Sequence, residues 1–312
     1  MSTSIEIRPL IHIGYQKTGS TFLQDHVFHN RDFGFFSPGN DVRAQLMDNF
    51  VLVNPYRFDH GQARSVFADL LREAATDSLI PVLSDENLVG HPTSSFVQGP
   101  AIAERLRAAF PDGRILVCIR EQKSVVLSLY SEHLRHSHTH DLETFIGNGK
   151  MPPGSLPIMR RDFYRYDELI HELQQRFGRD SVLVLPFERL KEPNTFVRRI
   201  CEFALAEPRG ELTVTESRTK PSHGGATLVC RRWLNFAAPK PDYTRSSQPL
   251  RFRAVRKSCE ALDRFIPARL QSLALSRFRS LINERLSGEY RESNRRTSEL
   301  IGIDLGELGY EM

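Results

Sequence analysis

The 312-residue sequence predicts a three-layer α/β fold: a central parallel sheet flanked by helices, plus a mostly helical C-terminal subdomain. Three observations lead there. Short, continuously apolar runs, the clearest being RILVCI at 114–119, have the pattern of strands covered on both faces. These runs alternate with segments of helical period, an order that favours parallel strands joined by crossover helices. Beyond Ala206 the strand signal stops, and an arginine-rich helical pattern takes over.

The elements follow in order. A first strand over 10–13 runs into Gly14, a turn holding Lys17, Thr18, Gly19, Ser20 and Thr21, and a first helix over 22–30. Residues 31–55 read as an irregular connection, with aromatics at Phe33, Phe35 and Phe36 and turn residues over 37–40. Helical periodicity over 63–75 sets Val66, Phe67, Leu70 and Leu71 on one face. A second buried strand over 80–83 ends in Ser84, Asp85, Glu86 and Asn87, at the sheet edge where open α/β folds hold ligands. A helix over 102–110 closes at Pro111, Asp112 and Gly113, strand 114–119 ends in Arg120, and a helix over 124–135 carries Ser128. An amphipathic helix over 166–177 stops at Gly178, a strand follows over 181–185, and Pro193 opens a helix continuing over 196–205. Residues 207–250 read as loops, HGGA (223–226) and PKPDY (239–243) among them, and 252–285 as helix. The end, SNRRTSELIGIDLGELGY, reads as a short helix and a docking tail. The chain thus divides into a core, 1–206, and an extension, 207–312, packed on it as a lid or acceptor-side subdomain of one domain.

Composition sets the outer bounds. A hydrophobic content of 40% is ample for a core, and 26% charged residues is the balance of a water-soluble globular chain. The net charge of +4 rests on thirty-five arginines against seven lysines. Arginine suits forked recognition of phosphate and sulfate oxygens, although so broad a bias is also what plain genomic composition produces. Cys118, Cys201, Cys230 and Cys259 lack C-x-x-C or zinc-site spacing and read as reduced, mostly buried thiols. The N-terminus has neither the basic nor the apolar region of a secretory signal, and no stretch reaches the length of a membrane span, which makes the cytoplasm the expected location.

The octet at 14–21, G-x-x-K-T-G-S-T, joins a strand to a helix. Its glycines let the backbone approach a ligand, its amides and helix start present donors to an anion, and Lys17 adds a full charge. It departs from the regular Walker A loop, in which the lysine follows the second glycine. The octet resembles the 5′-phosphosulfate loop of the sulfotransferases that use 3′-phosphoadenosine-5′-phosphosulfate (PAPS). A second motif agrees: in that family an arginine at a strand end and a serine eight residues later bind the 3′-phosphate, as Arg120 and Ser128 would here in REQKSVVLS. A guanidinium fork and a helix hydroxyl suit a phosphate dianion on chemical grounds alone. The segment from Arg165 to Leu190 resembles the family's helix and strand before its C-terminal half, and the terminal SNRR followed by LGY resembles bacterial members.

The resemblance implies a P-loop-like fold and transfer of a sulfuryl group from PAPS to an acceptor hydroxyl, releasing 3′,5′-adenosine bisphosphate. Lys17, Thr18, Gly19, Ser20, Thr21, Arg120 and Ser128 would hold the nucleotide, and Lys17 would stabilise the departing bridging oxygen. No metal is expected, because a sulfuryl group carries less charge than a phosphoryl group. Glu86 is the candidate general base, with Asp85 or a histidine as alternatives, and a helix cap or arginine pair as the plainer role for either carboxylate. His133, His136, His138 and His140 read as a solvated loop, since a metal site would need a partner carboxylate. The arginine-lysine-glycine loop of many animal members is missing; Arg218 or Lys220, in SRTKPS, would have to supply the third 3′-phosphate contact. The implied acceptor is a small molecule or glycan, such as a carbohydrate or glycolipid, read by the loop 136–165 and the region 245–296. A homo-oligomer is left open. An ATP- and magnesium-dependent kinase is the rival enzyme, and a non-enzymatic nucleotide- or nucleic-acid-binding protein the rival of another class. The basic helices carry interspersed acidic residues, against the second.

Overall fold

The computed structural model describes residues 8–93, 98–147, 158–210, 212–214, 223–237 and 250–312. Among these residues five strands, β1 (Leu10–Gly14), β2 (Phe35–Phe36), β3 (Ile80–Asp85), β4 (Arg114–Ile119) and β5 (Val182–Pro186), pair in parallel in the order β2-β3-β1-β4-β5. The two-residue period of a strand explains why the runs are apolar throughout. Ile11, Ile13, Leu83, Ile115, Val117 and Val184 enter the larger core, while Leu10, Val82, Leu116, Cys118 and Leu185 enter a second core on the opposite face. Parallel register then brings Gly14, Asp85, Arg120 and Phe187 to one edge of the sheet. The chain builds outward to β3 on one side of β1 and to β4 and β5 on the other, which leaves a switch-point crevice at that edge.

The helices on the way to β4 are α1 (Ser20–Phe22), prolonged as a π-helical stretch over Leu23–Phe28, α2 (Asn40–Leu46), α3 (His60–Ser65), α4 (Ala68–Thr76) and α5 (Gly99–Ala109). After β4 come α6 (Gln122–Arg135), α7 (Leu142–Ile146), α8 (Tyr166–Phe177) and α9 (Pro193–Ala204). The C-terminal part contributes α10 (Gly225–Leu234), α11 (Leu250–Phe265), α12 (Ala268–Leu286) and α13 (Arg291–Ile301). Among the described residues no helix is long and apolar enough to cross a membrane.

Several expected boundaries move. The irregular connection over 31–55 contains β2, α2 and a further helical stretch, Met47–Val51. The single helix over 63–75 is two, α3 and α4, interrupted where Phe67 leaves helical geometry. Helix α6 starts two residues early because the Glu121 carboxylate caps it, accepting from the amides of Lys123 (3.0 Å) and Ser124 (2.8 Å). HGGA is a helix start and not a loop: Gly224 is the cap and Gly225 the first residue of α10. Glycine is needed there for close packing, since a Cβ on Gly225 would lie 2.3 Å from the Leu275 amide nitrogen of α12. Pro267 splits 252–285 into α11 and α12.

The terminal segment docks on the core. Gln122 at the start of α6 donates to Asn294 of α13 at 2.6 Å, with both residues buried. The Tyr310 hydroxyl donates to Glu188 at 3.0 Å, and Lys123 pairs with Glu311 at 3.0 Å.

Candidate active site

The loop after β1 is shaped by what its neighbours exclude. A Cβ on Gly14 would sit 2.7 Å from Ser20 Oγ, so only glycine lets the loop close over the strand end. Lys17 and Gly19 both adopt left-handed backbone, at φ 68° and 91°. For lysine this is uncommon and costs energy, a feature that clusters at ligand sites. The Thr18 hydroxyl donates to the Tyr15 carbonyl at 2.6 Å and pins the turn. Gln16 Nε2 donates to the carbonyl of Gly90 at 3.0 Å, tying the loop to the segment after β3.

A cleft of ≈ 1280 Å³ opens over this edge of the sheet. Of the residues expected from the sequence, Lys17, Gly19, Ser20, Thr21, Glu86, Arg120 and Ser128 all line it. Thr18 does not: it is buried and its hydroxyl is turned into the loop, which leaves it only a backbone contribution. Arg120 donates to the Lys17 carbonyl at 3.0 Å and lies 4.6 Å over the Phe187 ring, so the end of β4 closes directly on the glycine loop. Burial lowers the pKa of Arg120, yet a guanidinium keeps its charge. The Ser20 hydroxyl is buried and has no hydrogen-bond partner among the described residues. A donor left without a partner, on a residue that lines the same cleft as Lys17 and Arg120, fits a phosphate or sulfate oxygen.

The carboxylates separate into two kinds. Asp85 is 1% exposed and accepts from the Asn87 amide (2.7 Å), the Asn87 side chain (2.8 Å) and Arg43 Nε (3.2 Å). Burial, then the neighbouring Glu86, push its pKa up against those donors. It caps a turn, does not line the cleft, and is poorly placed to act on a ligand. Glu86 does line the cleft, held by Arg43 Nη2 at 2.9 Å and approached by Gln24 Nε2 at 3.5 Å. A third carboxylate, Glu132, pairs with Lys17 Nζ at 2.7 Å. Sequence reasoning missed it, although it stands one helical turn beyond Ser128 on α6 and therefore on the same face. Arg43 and His91 were also missed, and no local pattern marks them.

Among the histidines, His91 lines the cleft with its pKa lowered, chiefly by burial. The solvated-loop reading of 133–140 needs correction, because His133 is buried and stacks on His138 with ring centroids 4.0 Å apart. Beneath the loop, His12 is fully buried against Ser84 Oγ at 2.8 Å, and burial lowers its pKa to about 4. Arg218 and Lys220 lie outside the described residues.

Neither a protein-family model nor a curated protein matches the sequence. Among solved structures the chain is similar to the sulfotransferase from Alicyclobacillus acidocaldarius, with 16% identity and a TM-score of 0.52 over 96% of this chain and 98% of that one. It is also similar to the sulfotransferase domain from the curacin biosynthetic pathway, at 13% identity and TM-score 0.43 over 81% of this chain and 98% of that one. The sulfotransferase domain from the Synechococcus PCC 7002 olefin synthase gives 14% and 0.42 over 84% and 98%. The first likeness shows the fold, that of the P-loop-like sulfotransferases; the other two add no weight at their lower TM-scores.

Proposed function

We propose that this chain transfers a sulfuryl group from PAPS to the hydroxyl of a small-molecule or glycan acceptor. One observation carries the reading: Arg120, at the end of the neighbouring strand, donates to the carbonyl of Lys17 inside the glycine loop, so that both nucleotide-binding motifs meet in one cleft that also holds Ser128. The loop amides, Lys17 and the orphaned Ser20 hydroxyl would hold the 5′-phosphosulfate, and Arg120 with Ser128 the 3′-phosphate. Bound PAPS supplies the sulfuryl group that passes to the acceptor oxygen.

The protein's own part is positional and electrostatic. Lys17 places a positive charge where the leaving phosphate gathers negative charge. Its ion pair with Glu132 aims the ammonium across the cleft before a ligand arrives. Glu86 takes the acceptor proton as general base, with Arg43 and Gln24 fixing its carboxylate. The kinase alternative loses support at Asp85, whose oxygens are occupied by Arg43 and Asn87 and which stands outside the cleft.

The test is transfer of sulfur label from PAPS to a panel of carbohydrates, glycolipids and simple alcohols, with release of the bisphosphate. Glu86→Gln is expected to cut turnover by roughly 10²–10⁴-fold while leaving nucleotide affinity within about twofold. A larger loss in Glu132→Gln would move the base to that residue. Phosphoryl transfer from magnesium ATP, with no sulfuryl transfer to any acceptor, would overturn the proposal.

A further inference from the structure

His133, His136, His138 and His140 fall within eight residues at the end of α6. The chain reverses at Ser137, which adopts φ 62°, and this folds the later histidines back over the first. His133 Nε2 lies 3.0 Å from His140 Nδ1, and one ring nitrogen from each of His133, His138 and His140 falls within 4.8 Å of the others. Helix α10 holds the turn in this shape. Asn235 Nδ2 donates to the carbonyls of Leu134 and His138, both at 2.8 Å, and Arg232 Nε donates to that of Thr139 at 2.9 Å. The Tyr130 hydroxyl adds a bond to the His140 carbonyl at 3.2 Å.

We infer that His133, His138 and His140 form a binding site for one divalent transition-metal ion of the zinc class, at the wall of the cleft and built from none of the residues assigned to the nucleotide. Three imidazoles and one solvent ligand complete such a site without the carboxylate expected from the sequence, and the ligand set decides the class of ion. Neutral imidazoles suit zinc, cobalt, nickel and copper, whereas magnesium and calcium require oxygen ligands. Bonds of about 2.1 Å in a tetrahedral arrangement set ligand nitrogens roughly 3.4 Å apart, so the His133 and His140 pair already stands near the required spacing. His138 lies parallel to His133, with an interplanar angle of 5°, so its ring must turn before its lone pair converges with theirs. His133 and His138 line the cleft, which gives a fourth, solvent ligand room.

The experiment uses the full chain, freed of any affinity tag and stripped with a chelator. Cobalt(II) is titrated while the visible absorption of four-coordinate cobalt is followed, and zinc is then added in competition. One equivalent is expected to bind, zinc displacing cobalt and raising the thermal midpoint. His138→Asn and His140→Asn should each weaken binding by at least about tenfold, with His171→Asn on α8 unchanged. The two ligand variants are independent, so misfolding of one, seen by circular dichroism, leaves the other to decide. Absence of stoichiometric binding by the wild type, or undiminished binding in a folded ligand variant, would overturn the inference whatever the donor nucleotide proves to be.

Discussion

At Gly14 an added methyl would press on Ser20 Oγ at 2.7 Å and on the His12 ring at 3.1 Å, both on buried residues, the ring held by Ser84 and Phe28. Overpacking of this kind costs about 1–3 kcal/mol, and here it falls on the hydroxyl assigned to the anion. Gly14→Ala is therefore expected to weaken bisphosphate binding by about tenfold or more, measured by calorimetry on protein whose folding is checked by circular dichroism. Lys17→Ala removes the one full charge of the loop. Its turnover should fall by roughly 10²-fold or more, beyond any loss of affinity, since the charge matters most as the leaving group departs. Equal turnover in this variant would remove Lys17 from the chemistry.

Helices α10 and α13 show how the C-terminal part is fastened. The α10 backbone meets α12 at Gly225, where a Cβ would fall 2.8 Å from the Ala274 carbonyl carbon, so Gly225→Ala must push two helices apart. A loss of about 1–3 kcal/mol in urea unfolding is expected. Asn294→Ala would strip the buried Gln122 amide of its 2.6 Å partner, again costing about 1–3 kcal/mol. At this scale legibility followed pattern length. Strands β1, β3, β4 and β5 announce themselves as apolar runs, while Arg120 and Ser128 were singled out through the family resemblance, and the structure places both on the cleft wall. The two residues of β2 are too few to form a pattern, and the paired glycines that let α10 pack closely look in sequence like a loop. Glu132 was readable from its spacing to Ser128; Arg43 reaches Asp85 and Glu86 only through the tertiary fold.

Over the whole molecule, buried neutral histidines link stability to pH. The folded His12 imidazole takes a proton only near pH 4, while the unfolded chain takes one near 6.5. The unfolded state thus binds more protons between these values. Stability is fully present above about pH 6.5 and declines as pH falls toward 4, by up to about 3 kcal/mol from His12 alone, with His133 acting in the same direction. Urea midpoints measured across this range should drop in the wild type and drop less steeply in His12→Asn; parallel curves would contradict the assignment. The same central strand that buries His12 delivers Lys17 to the cleft, which joins the fold to its proposed use. The most direct measurement of that use is calorimetric titration of 3′,5′-adenosine bisphosphate into the wild type and Arg120→Ala, with magnesium ATP as the comparison. Saturable one-to-one binding without magnesium, weakened at least about tenfold in the variant, is the predicted result. No binding of the bisphosphate, equal binding by the variant, or a preference for magnesium ATP would contradict it.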